Sequence, residues 1–224
     1  MTRFADRSDA GRRLAEALAG YRDRDVLVLG LPRGGIPVAY QVAEALGAPL
    51  DVLVVRKLGI PHQPELAFGA IGEGGVRVFN DRVLRRIEVC AEDLAAVEGA
   101  ERNELDRRVN LYRGGRPGLP LVGRIVLIVD DGFATGATAR AAALVARAQG
   151  AATVVLAAPI GAPDTVAGLR EVADDVVCMG TPRGFSAVGQ GYDDFSQTSD
   201  EEVCALLRAA HREGRTARPP ETGQ

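Results

Sequence analysis

The chain has 224 residues, of which 46% are hydrophobic and 25% charged, with a formal net charge of -3. That length supports a substantial core, and the composition is that of an ordinary globular protein. The near-neutral balance excludes binding to nucleic acid or to an anionic membrane through a global positive field.

In chain order, Ser8 or Asp9 is positioned to cap a first helix with Leu14 and Leu18 on its apolar face. VLVLGL (Val26 to Leu31) predicts a fully buried strand, broken at PRGG and followed by a helix that stops at Gly47. DVLVV (Asp51 to Val55) predicts a second buried strand ending at Arg56 and Lys57. Leu58 to Gly75, rich in Gly and Pro, predicts a long loop, and VRVF (Val76 to Phe79) a short strand. Asp81 to Tyr112 is helical and charge-laced, keeping Leu105, Val109 and Tyr112 on one face. After the linker RGGRPGLP come a strand (Ile125 to Val129), a helix (Gly136 to Gln149) and a strand (Thr153 to Ala158). A short helix near Asp164 to Val172 and a strand (Asp175 to Cys178) follow. SDEE (Ser199 to Glu202) resembles a capping box opening a last helix, and the tail after Gly214 is expected to be disordered.

Continuous apolar strands alternating with helices predict an α/β fold, a single doubly wound, mainly parallel sheet of five strands covered on both faces. Ligands of such sheets sit outside the carboxyl ends of the strands. LPRGG, VVRK and VDDGFATGAT all fall at such ends. Cys90, Cys178 and Cys204 form no CxxC pair, and with no apolar leader or membrane-length run the expected setting is a reduced cytoplasm. His62 has no partner histidine at ligand spacing, so no metal site is expected from the protein alone.

In VDDGFATGAT the residues Ala134, Thr135, Gly136, Ala137 and Thr138 lead into a helix. Small residues let backbone N–H groups close on a tetrahedral anion, helped by the helix terminus and the Thr hydroxyls. Asp130 and Asp131 would repel that anion, but they suit hydroxyl donors such as a ribose diol. A phosphate beside a diol is a ribose 5-phosphate. The same residues also suit an ordinary strand-to-helix turn; a P-loop is excluded because GK[ST] is absent.

VLIVDDGFATGAT resembles the PRPP-binding signature of the type I phosphoribosyltransferases, LPRGG resembles that family's pyrophosphate loop, and VVRK resembles the basic end of its second strand. The resemblance spans roughly Val26 to Val177. It implies that Arg33, Gly34 and Gly35 approach a diphosphate, with a non-proline cis peptide at Pro32–Arg33. Arg56 and Lys57, the latter the sole lysine, would add positive charge at the same edge. The implied reaction moves 5-phosphoribosyl from PRPP to a nitrogenous acceptor, with Mg²⁺ held mainly by substrate and water. Asp130 and Asp131 would stabilise the oxocarbenium-like ribose, and Leu58 to Gly75 would cover the site. A homodimer is the expected assembly. The alternative is a regulator of the same fold that binds PRPP or a nucleotide without turnover; a PRPP synthetase is a poorer third reading.

The implied domain runs over residues 1–214, with a helical insertion at 81–113, a tail at 215–224, and a hood formed by 178–198 with the N-terminal segment. In the hood, Phe185, Tyr192 and Phe195 could stack on a planar base or form the lobe's own core. Enzymes acting on 6-oxopurines usually carry an Asp where this chain has Ala134, and a hood lysine that this chain lacks. Hypoxanthine and guanine are therefore expected to be poor acceptors. Glu65 could serve as acid or base, or be a solvated loop residue.

Overall fold

The computed structural model describes residues 3–60, 63–85 and 90–216. Its main sheet has five parallel strands: β1 (Val26–Gly30), β2 (Leu50–Val52), β6 (Ile125–Val129), β7 (Thr153–Ile160) and β8 (Asp175–Gly180), in the order β2-β1-β6-β7-β8. The α/β class and the five-stranded parallel sheet follow the expectation. Alternation along each strand explains the unbroken apolar runs. Val26, Val28, Leu127 and Val129 face one core, while Leu27, Leu29, Val126 and Ile128 face the other. Both faces of β1 and β6 are thus buried, and an interruption by a polar residue would cost one layer or the other.

Helices α1 (Arg7–Ala17), α2 (Gly35–Leu46), α4 (Ala91–Arg113) and α7 (Asp200–Thr216) cover the first core. Helices α5 (Ala137–Ala148) and α6 (Pro163–Leu169) contribute to the second. Leu105 and Tyr112 of α4 are buried in the first core, so the apolar face of this helix packs on the body of the protein.

Several boundaries differ from expectation. Asp6, rather than Ser8 or Asp9, caps α1, its carboxylate accepting the Asp9 N–H at 2.7 Å. At the other end, Ser199 Oγ accepts the Glu202 N–H at 3.2 Å, as the capping pattern suggests. Helix α7 continues to Thr216, two residues into the segment expected to be tail, and 217–224 lie outside the described residues. The stretch Asp81–Tyr112 divides into α3 (Asp81–Leu84) and α4.

The largest correction concerns Leu58 to Gly75. The chain forms β3 (Val55–Ile60) and β4 (Gln63–Gly72), an antiparallel hairpin joined by β5 (Arg77–Phe79) into a second, three-stranded sheet. Leu58, Ile60, Phe68 and Ile71 make a small core of their own, against which Leu94 and Val97 of α4 pack. His62 lies outside the described residues, and Glu65 falls within β4.

At the root of this hairpin sits a buried ionic cluster. Arg113 donates to Asp51 at 3.0 Å, to the Val52 carbonyl at 2.8 Å and to Glu73. Asp51 also accepts the Leu119 N–H at 3.0 Å, and the side chain of Gln149 donates to the Glu73 carbonyl at 3.1 Å. Burial outweighs the neighbouring guanidinium and keeps the Glu73 carboxyl above its usual pKa.

Candidate active site

Two turns meet at the carboxyl edge of the main sheet, one after β1 and one after β6. In the first, residues 31–34 join β1 to α2 through a cis peptide at Pro32–Arg33. In the second, β6 ends at Val129 and the chain passes through Asp130 and Asp131 to the amino terminus of α5. The contact is close enough to dictate residue type. A Cβ on Gly34 would lie 2.0 Å from Asp131 Oδ2, and one on Gly35 would lie 2.7 Å from the Val129 carbonyl oxygen and 2.9 Å from Asp130 Cα. Only glycine lets the two turns touch.

The carboxylates themselves are partly buried. Asp130 Oδ1 accepts the Asp131 N–H at 2.9 Å. Its pKa is held well above the carboxylate range, first by burial and then by the Asp131 charge beside it. Asp131 is also raised by burial, against the opposing pull of Arg7. Arg7 Nε donates to Asp131 Oδ2 at 2.9 Å, while its NH1 reaches the Ser196 carbonyl at 2.6 Å. The same guanidinium lies 4.0 Å above the Phe195 ring. Sequence reasoning missed Arg7. No local pattern marks a residue whose partner lies 124 positions away.

What brings Arg7 there is the pairing of the N-terminal segment with the segment expected to form a hood. Phe4 pairs with Tyr192 as a short parallel bridge, with Phe4 N–H donating to Gly191 at 2.8 Å and Asp193 N–H to Phe4 at 2.8 Å. This bridge delivers the start of α1 to the Asp131 turn. Tyr192 is 3% exposed, packs against Phe4 and Phe195, and donates its hydroxyl to the Asp131 carbonyl at 2.6 Å. Its ring belongs to the hood's own core and is not free to stack on a base, which corrects the first of the two uses suggested by sequence. Phe185 is partly buried against the same cluster, whereas Phe195 is 36% exposed.

The small-residue loop is open. Ala134, Thr135 and Thr138 are exposed, Gly136 takes φ +69°, and Thr135 Oγ1 accepts the Ala137 N–H at 3.4 Å. Phe133 anchors the loop from below. Its N–H donates to Ile160 at 2.9 Å, and its carbonyl accepts from Ala162 at 2.9 Å. Arg33 is partly buried, and its charge is felt at Tyr112 of α4. There its charge opposes the rise of the Tyr112 hydroxyl, which burial and a bond to Asp200 push up to about 12.

Arg56 and Lys57 are not brought to the carboxylates. The main-sheet strand ends earlier, at Val52, and Arg56 and Lys57 belong to β3 of the second sheet, where alternation sends the two side chains to opposite faces. Arg56 pairs with Glu101 of α4 at 2.5 Å, and Lys57 lines a cavity on the flank of α5.

A family model described as a phosphoribosyl transferase domain matches residues 5–189. Two Mycobacterium tuberculosis proteins, from strains CDC 1551 and H37Rv and bearing a provisional phosphoribosyl transferase name, are 61% identical over 213 residues. The match takes in 95% of this chain and 48% of theirs, so the chain spans about half the length of these curated relatives. The crystal structure of TT1426 from Thermus thermophilus is 45% identical with a TM-score of 0.85, covering 92% of this chain and 98% of that one.

Proposed function

Since the chain belongs to the phosphoribosyl transferase domain family, we propose that it moves a 5-phosphoribosyl group from PRPP to a nitrogenous acceptor and releases pyrophosphate. The observation that carries this reading is the contact of the Gly34 turn with Asp131. It makes a diphosphate loop and a pair of diol acceptors neighbours, as PRPP requires, because its diphosphate sits on the carbon adjoining the diol.

In this reading, the backbone of residues 134–138 takes the 5-phosphate. Asp130 and Asp131 accept hydrogen bonds from the ribose hydroxyls, and their negative charge faces the ribose ring as C1 loses its leaving group. Both carboxyls have raised pKa values in the free protein, so the pair resists carrying two charges; an incoming diol or developing cation relieves that crowding. Arg7 and Tyr192 position Asp131 from the side and from its backbone. Mg²⁺ would be held mainly by the substrate's own oxygens and water, and would neutralise the departing diphosphate. Arg33, Gly34 and Gly35 would line the exit of that diphosphate.

The acceptor would lie between the carboxylates and the hood, bordered by Phe195 rather than by Tyr192. Ala134 offers no acid or base there, and its carbonyl is already satisfied by Thr165 Oγ1 at 2.7 Å. We therefore expect hypoxanthine and guanine to be poor acceptors. A screen of hypoxanthine, guanine, adenine, uracil and nicotinate against PRPP and Mg²⁺, read by pyrophosphate release, tests both statements. PRPP binding without release from any acceptor would favour a silent binding protein. Hypoxanthine or guanine turnover with kcat/KM above about 10⁴ M⁻¹s⁻¹ would refute the acceptor argument.

A further inference from the structure

The flank of α5 carries a cavity that this reaction does not use. It measures about 510 Å³ and lies between α5 and the three-stranded sheet. That volume lies within the range of small-molecule sites. Gly69, Ala137 and Ala141 leave its floor open, while Phe79, Leu144 and Val172 give it apolar walls.

Among the described residues, the charge on its lining is of one sign. Lys57, Arg85 and Arg140 all line it, and among the described residues no acidic side chain does. Arg140 is tethered, donating to the Gly168 carbonyl at 2.8 Å and to the exposed Glu171 at 3.2 Å. Among the described residues, neither Lys57 nor Arg85 has a hydrogen-bond or ion-pair partner. Arg85 is exposed and Lys57 half-buried, so both heads are within reach of an anion that enters the cavity. Helix α5 also begins at Ala137, adding positive partial charge at one end of the cavity.

We propose that this cavity is a second anion site, taking a phosphate monoester carried on a flat aromatic body. Three basic side chains suit a dianionic head better than a single carboxylate does, and Phe79, whose ring also stacks on Phe68 and lies under Arg77, gives the ligand's ring an aromatic neighbour. Ala137 is the one residue that the cavity shares with the small-residue loop; Asp130, Asp131, Gly34, Thr135 and Thr138 do not line it. The inference does not depend on transfer chemistry at the carboxylates.

Calorimetric titration with 1-naphthyl phosphate, which has no ribose diol, tests it. The expected result is binding at one site per chain, about tenfold or more tighter than inorganic phosphate or 1-naphthoate. Lys57→Gln and Arg85→Gln should each weaken it by about tenfold, with unchanged melting temperature, while Thr138→Ala leaves it intact. Because the two variants sit on different elements, misfolding of one leaves the other to report. Affinity no better than that of inorganic phosphate, or affinity lost in Thr138→Ala but kept in Lys57→Gln and Arg85→Gln, would overturn the proposal.

Discussion

The carboxyl edge of the main sheet and the flank of α5 solve opposite electrostatic problems. At the sheet edge, negative charge is concentrated and each group is bound by the protein itself: Asp131 by Arg7, Asp130 by the Asp131 N–H, and the turn by the Tyr192 hydroxyl. On the flank, positive charge is gathered and left largely unanswered by the described residues. In the proposed function, the first region is preorganised around a ligand that must be held in one geometry. The second offers charge and volume with little fixed geometry. Precision therefore belongs to the sheet edge, and changes there should be felt more steeply.

Replacing both Asp130 and Asp131 with Asn is the severest way to break this contrast. The fold should persist, while turnover falls by about 10³-fold or more, because the lost charge acts mainly in the transition state. Pyrophosphate release measured at saturating PRPP checks this, and unchanged kcat would dismiss the assigned role. Gly34→Ala comes next. Its new Cβ would need the space of Asp131 Oδ2, so the carboxylate must swing away from Arg7 or its turn must shift. A loss of about 10²-fold in kcat/KM for PRPP is expected, with far-ultraviolet circular dichroism unaltered.

Arg7→Ala sharpens the comparison by giving the sheet edge an unanswered charge of its own. Arg7 pulls the Asp131 pKa down, so its removal lifts that value further. If turnover needs Asp131 ionised, the acidic limb of the pH–rate profile should move to higher pH. The loss at neutral pH should be about tenfold. Arg7→Lys, which keeps the charge and loses the fork, should restore the limb more than the rate. A limb that stays in place would assign Arg7 a purely structural part.

The smallest effect is on stability and has the opposite sign. A carboxyl whose folded pKa is raised binds its proton more tightly in the folded state than in the unfolded one. Ionising Asp130 therefore weighs against folding, increasingly so as pH climbs from the ordinary carboxylate range toward the raised value. Asp130→Asn removes that penalty. It should raise Tm at pH 7 by about 2–4 °C, and the gain should vanish near about pH 3, where both states are protonated. Calorimetric scans at the two pH values decide it.

What the sequence made legible follows the same division. Strands β1, β6 and β7 are continuous apolar runs because both faces are buried, and a run of that kind needs no partner to be recognised. The carboxylates, Gly34 and Gly35 are contiguous in short motifs at the ends of those strands, and the structure brings them together. Arg7 was invisible because its contact depends on the pairing of Phe4 with Tyr192 across the chain. The hairpin was hidden for another reason. Gly59, Gly69 and Gly72 interrupt the apolar alternation of β3 and β4, and Leu58, Ile60, Phe68 and Ile71 pack against α4, a helix still to come in the chain. With Arg56 and Lys57 read as a strand end, the consequence of alternation, that they face apart, could not be drawn.

The cluster of Arg113, Asp51 and Glu73 has a mechanical meaning as well as an electrostatic one. It rivets the foot of the hairpin to the outermost strand of the main sheet and to the last turn of α4. Pulling out one member strands charged groups in the interior, at a cost of about 3–5 kcal/mol. The hairpin is therefore clamped by charge at its base and held along its length by apolar packing on α4. Amides at its foot, near Val54 and Val55, should exchange with solvent as slowly as those of β2.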